Sequence, residues 1–289
     1  MRESHLKYKL PIFVLLLDIV VVYLFYIDWE ISHRKFTFAM LDIGQGDALF
    51  IESPTGTQVL IDGGPPKKIL SELSRIMPPL DRSIDAIFIT NPDQDHIGGF
   101  LDVLKNYKVG KVFEPGTTSD SKVYQNLKTE IKNKNVEEIL AKKGMSIDLG
   151  GGVILSVIFP DRDVSTWPTN DGSLVLKLYY EDISIMLTGD ASIETEKFIL
   201  ENNKKENLNS TVLKIGHHGS ISATSEKFLN VVSPTFALIS DGKNNKYGHP
   251  NQEILNMLSR FKIKVFRTDE DGTILIKSNG EKSEFLFLK

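Results

Sequence analysis

Residues 86–99 read AIFITNPDQDHIGG. An apolar, β-branched run stops at Thr90, and the next six residues carry Asn91, Asp93, Asp95 and His96 before Gly98 and Gly99. This pattern constrains the fold more than any other feature, because it recurs along the chain. ISIMLTGDAS (183–192) ends an apolar run at Asp190, and VLKIGHHGSISATS (212–225) ends one at His217 and His218. VLIDGG (59–64) ends at Asp62, ALISDGKNNKYGHP (237–250) leads to His249, and NDGSLVLKL (170–178) begins with Asn170 and Asp171. Every candidate lies at the end of a strand-like run, so a sheet that aligns those runs gathers the candidates along one edge.

The remaining pattern agrees with layers of strand and helix. Strands are predicted at 36–41, 48–52, 58–61, 86–89, 111–113, 153–159, 173–180, 183–187, 212–215, 236–239, 264–267 and 272–276, and helices at 67–76, 98–106, 121–132, 193–202, 225–231 and 252–261. The first three strands have short connections and read as a meander. Later strands alternate with helices, which predicts an α/β architecture. A mixed sheet or sandwich covered by helices satisfies both, with 36–289 as one domain.

The amino-terminal 35 residues differ. LPIFVLLLDIVVVYLFYI (10–27) contains one charge, Asp18. A membrane-spanning helix needs roughly 20 apolar residues, and Asp18 near the centre costs roughly 2.5–3.5 kcal/mol on insertion scales. Arg2, Lys7 and Lys9 precede the run, and Asp28 and Glu30 follow it. The positive-inside rule then places the rest of the chain outside the cytoplasm. The expectation is an uncleaved single-pass anchor over 1–35, with the catalytic domain extracytoplasmic at the cell membrane. A signal peptide and a buried core helix are the competing readings. The lack of an A-x-A-like site directly after the run favours the anchor over the signal peptide.

The residue types at the strand ends are those that bind divalent metals. Carboxylates and imidazoles converging from short, stiff loops form such sites. With no cysteine in the chain, thiolate zinc sites, a cysteine nucleophile and a disulfide scaffold are all excluded. The bland alternative is that the aspartates cap helices or shape turns. Adjacent histidines between glycines, as at 217–218, fit that alternative least well.

Taken in order, LDIGQGDALFIES (41–53), VLIDGG, DQDHIGG, NDGSLVLKL, LTGD, KIGHHGS and YGHP resemble the metallo-β-lactamase-type domain of ComEC-type DNA-internalisation competence proteins, over about 36–277. The resemblance implies an αββα four-layer sandwich with a metal site where the two sheets meet, holding one or two divalent ions (zinc or manganese, with magnesium also suited). It makes Asp95 and His96 ligands, Asp190 a bridging ligand, and one of His217 and His218 a further ligand. Asp93 stands where many relatives carry a histidine. Asp62 is a supporting residue, and Asn170 belongs with the supporting or substrate-contacting residues. Lys214 and His249 are expected to line the substrate groove. Asp95, Asp190, His218 and His249 are the expected catalytic residues. Asn91 departs from the pattern by replacing the first histidine, which leaves the first metal position weak, suited to harder ions, or empty. The chain is also expected to be a detached domain rather than the membrane channel of such proteins.

The implied activity is a membrane-anchored, metal-dependent phosphodiesterase or nuclease acting on DNA during uptake. Its expected partners are single-stranded DNA, the membrane and a separate channel protein, and the chain is expected to be monomeric. Alternatives are hydrolysis of another surface phosphoester, or DNA binding without catalysis. The net charge of −4 argues against coating duplex DNA by bulk charge. Two local stretches are basic: nine lysines against five acids at 105–143, and six basic residues against one acid at 243–267. Each is a phosphate-binding surface or simply a solvated face.

Overall fold

Alternation along the first strand sets the layering. In β1 (Phe36–Met40) the side chains of Phe36, Phe38 and Met40 enter one buried cluster and Ala39 enters another, because successive strand residues face opposite sides. A strand buried on both faces belongs to a sheet covered on both faces. The computed structural model describes residues 6–32 and 34–289, with side chains at 11–25 and 34–289.

The chain continues through β2 (Leu49–Glu52), β3 (Gln58–Ile61), β4 (Ser83–Phe88), β5 (Lys108–Glu114) and β6 (Glu137–Leu140). Then come β7 (Ser146–Gly150), β8 (Val153–Phe159), β9 (Val175–Tyr180), β10 (Ile183–Leu187), β11 (Val212–Lys214), β12 (Phe236–Ile239), β13 (Lys264–Arg267), β14 (Thr273–Ser278) and β15 (Ser283–Leu288). Among the described residues they form an eight-stranded sheet ordered β15-β14-β1-β2-β3-β4-β5-β6 and a seven-stranded sheet ordered β13-β12-β11-β10-β9-β8-β7. The first three strands are the antiparallel meander that the short connections predict.

Three apolar clusters build four layers. Between the sheets, Phe38, Ile61 and Phe88 meet Leu155, Leu176 and Ile185. Outside the first sheet, Leu60 and Ile87 pack on helices through Leu73, Phe100 and Leu127. Outside the second, Leu213 and Ile239 pack on helices through Ile199, Phe228 and Leu258. The result is the expected helix–sheet–sheet–helix sandwich.

Topology positions the site. β3, β4 and β5 run parallel in one sheet, and β10, β11, β12 and β13 run parallel in the other. The carboxyl ends of parallel strands are where α/β proteins place their sites. Here the ends of β3, β4, β10 and β11 bring their loops together.

Three strands, β6, β7 and β15, are absent from the sequence reading. Each is the outer strand of its sheet. The outer helix near the amino terminus runs Leu6–Ser32, and its apolar side chains from Ile12 to Phe25 are exposed. Among the described residues, no helix is long and apolar enough to cross a membrane. The anchor expectation therefore gains no support there. The charges used to orient it, Arg2, Lys7, Lys9, Asp28 and Glu30, lie outside the residues whose side chains are described.

Candidate metal centre

The site grows from four loops. After β4, Asp95 and His96 lie on a single helical turn, Gln94–Ile97. The loop from β1 to β2 docks onto that turn, with the Asp47 N–H donating to the Asp95 carbonyl at 3.1 Å. This close approach requires Gly46: its φ is +128°, and a Cβ there would collide with the Asp95 carbonyl. Asp190 follows β10, and His217 and His218 follow β11.

The two histidines sit on strained backbone. Both have positive φ, 47° and 54°, a conformation that costs a side-chain-bearing residue roughly 1–2 kcal/mol. The surroundings hold it: His217 N–H donates to the Gly189 carbonyl at 3.2 Å, and Gly216 N–H to Thr224 Oγ1 at 3.0 Å. Behind them, buried Glu196 accepts from the Thr224 and Ser225 N–H groups. Strain sustained in this way is characteristic of functional loops.

The side chains converge. His96 Nε2 lies 3.1 Å from Asp190 Oδ2, and His218 Nε2 lies 3.7 Å from that same oxygen and 3.4 Å from Asp95 Oδ2. His96 and His218 are buried, with their Nε2 atoms lacking hydrogen-bond partners, as does Asp190 Oδ1. The other ring nitrogens are engaged: His96 Nδ1 by Asp62 at 2.8 Å, His218 Nδ1 by the Ser240 carbonyl at 2.9 Å. Such outer contacts fix ring orientation and aim the free nitrogen at an ion. Buried polar atoms left unpartnered call for a ligand. Asp95, His96, Asp190 and His218 therefore fit a divalent cation.

Charge points the same way. Asp47, Asp62, Asp190 and Asp95 crowd the site, and one ammonium, Lys214, faces them. Burial opposes charging of His96, but the Asp190 and Asp62 carboxylates outweigh it and hold its pKa well above the usual imidazole value. His218 is raised likewise, by Asp190 and Asp47 against burial. Burial alone would raise Asp190, yet His96, His218 and Lys214 pull it well below the ordinary carboxylate range. A bound cation would replace the protons on those imidazoles.

The remaining candidates divide. Asp62 is engaged by the Thr90 N–H, the Thr90 hydroxyl and His96, so it orients rather than ligates. The Asn91 oxygen accepts the Asp93 N–H at 2.9 Å, and Asp93 accepts the Thr169 hydroxyl at 3.1 Å. His217 is partly exposed, held by Ser222 at 3.0 Å, with Nε2 3.7 Å from Asp190. The His249 ring lies 5.7 Å from that of His217. Asn170 follows Thr169 and carries a buried, unpartnered oxygen. Lys214 does not line the groove as expected. It is fully buried, paired with Asp47, and donates to the Gly189 carbonyl at 2.8 Å. Asp190 is not a helix cap either, since Ser192 caps the following helix at Thr195 N–H.

Sequence reasoning missed Asp47. Its signal was the Gly-Gln-Gly-Asp turn between two short strands, where glycines permit close backbone approach. Beside Asp95 opens a cavity of about 330 Å³ lined also by Gln45, Pro65, Gln94, Lys246 and Tyr247. A larger cleft of about 520 Å³, beside Arg34 and Lys277, holds none of the site residues.

Comparison with known proteins agrees with this geometry. Residues 41–240 match the Metallo-beta-lactamase superfamily. The chain is 36% identical over 256 residues to ComE operon protein 3 of Bacillus subtilis, covering 81% of this chain and 32% of that protein. It is 27% identical to Recombination protein 2 of Haemophilus influenzae (86% and 29%) and 28% identical to Competence protein ComA of Neisseria gonorrhoeae (81% and 31%). The chain thus spans about a third of the length of the curated relatives it matches. Among solved structures, CmlA, a diiron beta-hydroxylase from Streptomyces venezuelae, superposes with a TM-score of 0.54 at 11% identity, covering 88% of this chain and 54% of that one. Zn(2+)-bound PqqB from Methylobacterium extorquens gives 0.50 at 11% identity, covering 79% and 87%. These structural likenesses concern the fold.

Proposed function

The chain belongs to the metallo-β-lactamase superfamily, and we propose that this metal-dependent hydrolase is a phosphodiesterase that cleaves single-stranded DNA. One observation carries the reading: two unpartnered buried imidazole nitrogens converge with the Asp190 carboxylate beside a cavity rimmed by Lys246 and Tyr247.

Asp95, His96, Asp190 and His218 would hold the ion. A divalent ion there supplies Lewis acidity, which polarises a phosphoryl oxygen and acidifies water at neutral pH. Asp190 is ionised and fixed by its neighbours, so it can orient a water and accept its hydrogen bond. His217 has an accessible ring backed by Ser222 and is placed to pass a proton to a leaving alkoxide. His249 has its pKa lowered by burial and by its two histidine neighbours.

The groove suits a strand of nucleic acid. Tyr247 is 57% exposed, its ring stacked on His249 with centroids 5.9 Å apart. Lys246 Nζ lies 5.0 Å from the Tyr247 ring centroid. An exposed ring beside a cation offers base stacking and phosphate attraction together. The other basic stretch is a poorer surface, because Lys128 is paired with Glu114 and Glu138, and Lys111 with Glu137. The names of the curated relatives, which refer to competence and recombination, support DNA as substrate.

The same reading extends to location. We further propose, from the apolar run at 10–27 and the charges that flank it in the sequence, an amino-terminal anchor with the domain outside the cytoplasm, acting as a monomer beside a separate channel protein. A cysteine placed near residue 200 and labelled by an impermeant reagent on intact cells would fit this topology, and labelling only after lysis would reverse it.

The test of activity is cleavage of a labelled single-stranded oligonucleotide with Mn²⁺, Zn²⁺ or Mg²⁺ and with chelator. Metal-dependent cleavage is expected. Hydrolysis of a small phosphodiester with DNA left intact would replace the substrate, and DNA binding without any hydrolysis would replace the activity.

A further inference from the structure

The superfamily pattern allows two ions, and this chain's residues fit one. On the side where the first ion would sit, no imidazole from the 91–96 loop is available. The Asn91 oxygen is engaged by the Asp93 N–H, and its buried Nδ2 is a donor, which repels a cation. Asp93 is engaged by Thr169, and Asn170 adds one neutral oxygen. These are weak donors for a second ion.

A second grouping exists within the site. Asp47, Asp190 and His218 present ligand atoms within 4.8 Å of one another. That is the spacing of a metal site, and Lys214 reaches into it. Its Nζ pairs with Asp47, lies 3.8 Å from Asp190 Oδ1 and donates to the Gly189 carbonyl. The lysine is 0% exposed and comes from the end of β11, so its charge is fixed in place. An ammonium and a metal ion compete for such a space, since both answer to the same carboxylates.

We propose that this centre holds a single divalent ion, at Asp95, His96, Asp190 and His218, and that the Lys214 ammonium stands in for the second ion against Asp47 and Asp190. The proposal rests on the hydrolase reading above and deepens it. Lys214 is a positioning residue. It neutralises Asp47 and holds Asp190 from behind, so that the free face of the carboxylate turns to the single ion and the water.

The experiment is metal content of the purified full-length chain, by elemental analysis and by titration calorimetry with Mn²⁺ and Zn²⁺, neither of which reads activity. Wild type is expected to bind about one ion per chain. Asp95→Asn should lose it, because an amide replaces one of the two carboxylates among its four ligands. Lys214→Met should take up about two ions, the second between the vacated carboxylates of Asp47 and Asp190. Two ions in wild type, or one retained by Asp95→Asn, would overturn the proposal and leave the hydrolase reading standing. A folded Lys214→Met that binds one ion would overturn the role given to the lysine. No ion in any form would overturn both readings.

Discussion

Two lysines are buried in the second sheet, Lys214 at the carboxyl end of β11 and Lys177 within β9, and they are held in opposite ways. Lys214, at the carboxyl end of β11, faces carboxylates; against the cost of burial, Asp47 and Asp190 raise its pKa. Lys177 sits in β9 and reaches the opposite edge, donating to the Asn207 and Asn209 carbonyls at 3.0 and 2.5 Å. Among the described residues no carboxylate answers it, and burial lowers its pKa to about 8. The contrast separates two uses of a buried charge. At one edge the cation is part of an electrostatic assembly that demands further positive charge. At the other it is a clasp on two carbonyls, and its charge is a liability.

Removing each ammonium in turn should expose the difference most strongly. In chelator, Lys214→Met should lose about 3–5 kcal/mol of stability, as expected when one partner of a buried ion pair is deleted, and added Mn²⁺ should restore much of it. Lys177→Met should lose only about 1–2 kcal/mol, from two carbonyls without a donor, and metal should not restore it. Denaturant titrations of the four combinations check this; equal losses with equal rescue would erase the comparison.

pH sharpens it further. The folded-state pKa of Lys177, about 8, is below the unfolded value near 10.5, so the unfolded chain binds the extra proton between them. Stability therefore rises with pH through this window, by a total on the order of 3 kcal/mol. Lys177→Met should flatten that rise. A wild-type stability that fell across the window would contradict the assignment.

A separate effect, on binding alone, belongs to the groove. Tyr247→Ala should weaken binding of a single-stranded oligonucleotide by about 1–3 kcal/mol, the usual worth of one stacked base. Hydrolysis of a small phosphodiester should be unchanged. An equal loss on both substrates would place Tyr247 in the support of the site rather than in contact with DNA.

How legible each part was follows from the same physics. Central strands such as Val153–Phe159 and Ile183–Leu187 are apolar runs bounded by turns, and they appear in the structure as read. The outer strands do not announce themselves. Glu137–Leu140 carries two glutamates and is mostly exposed, and Ser283–Leu288 is largely exposed along its length; edge strands are charged and half-wet by nature. In the site, Asp95, His96, Asp190 and the His217–His218 pair stood out as chemistry-bearing residues at strand ends, while which of the two histidines faces inward was not legible. Nor were Asp47 and the buried position of Lys214. Their meaning lies in a pairing between loops far apart in sequence, and no local pattern encodes a partner more than 150 residues away.

Asp190 decides the central claim. Asp190→Asn keeps size and shape but removes the charged oxygen that His96, His218 and Lys214 surround. Cleavage of a labelled oligonucleotide in Mn²⁺, measured beside melting curves for both proteins, is the direct test. The variant should still melt in one cooperative transition while cleavage falls about 100-fold, the upper end of what losing an orienting contact at a metal site costs. Equal cleavage by the two proteins, both folded, would contradict the assignment of this edge as a metal-dependent hydrolytic site.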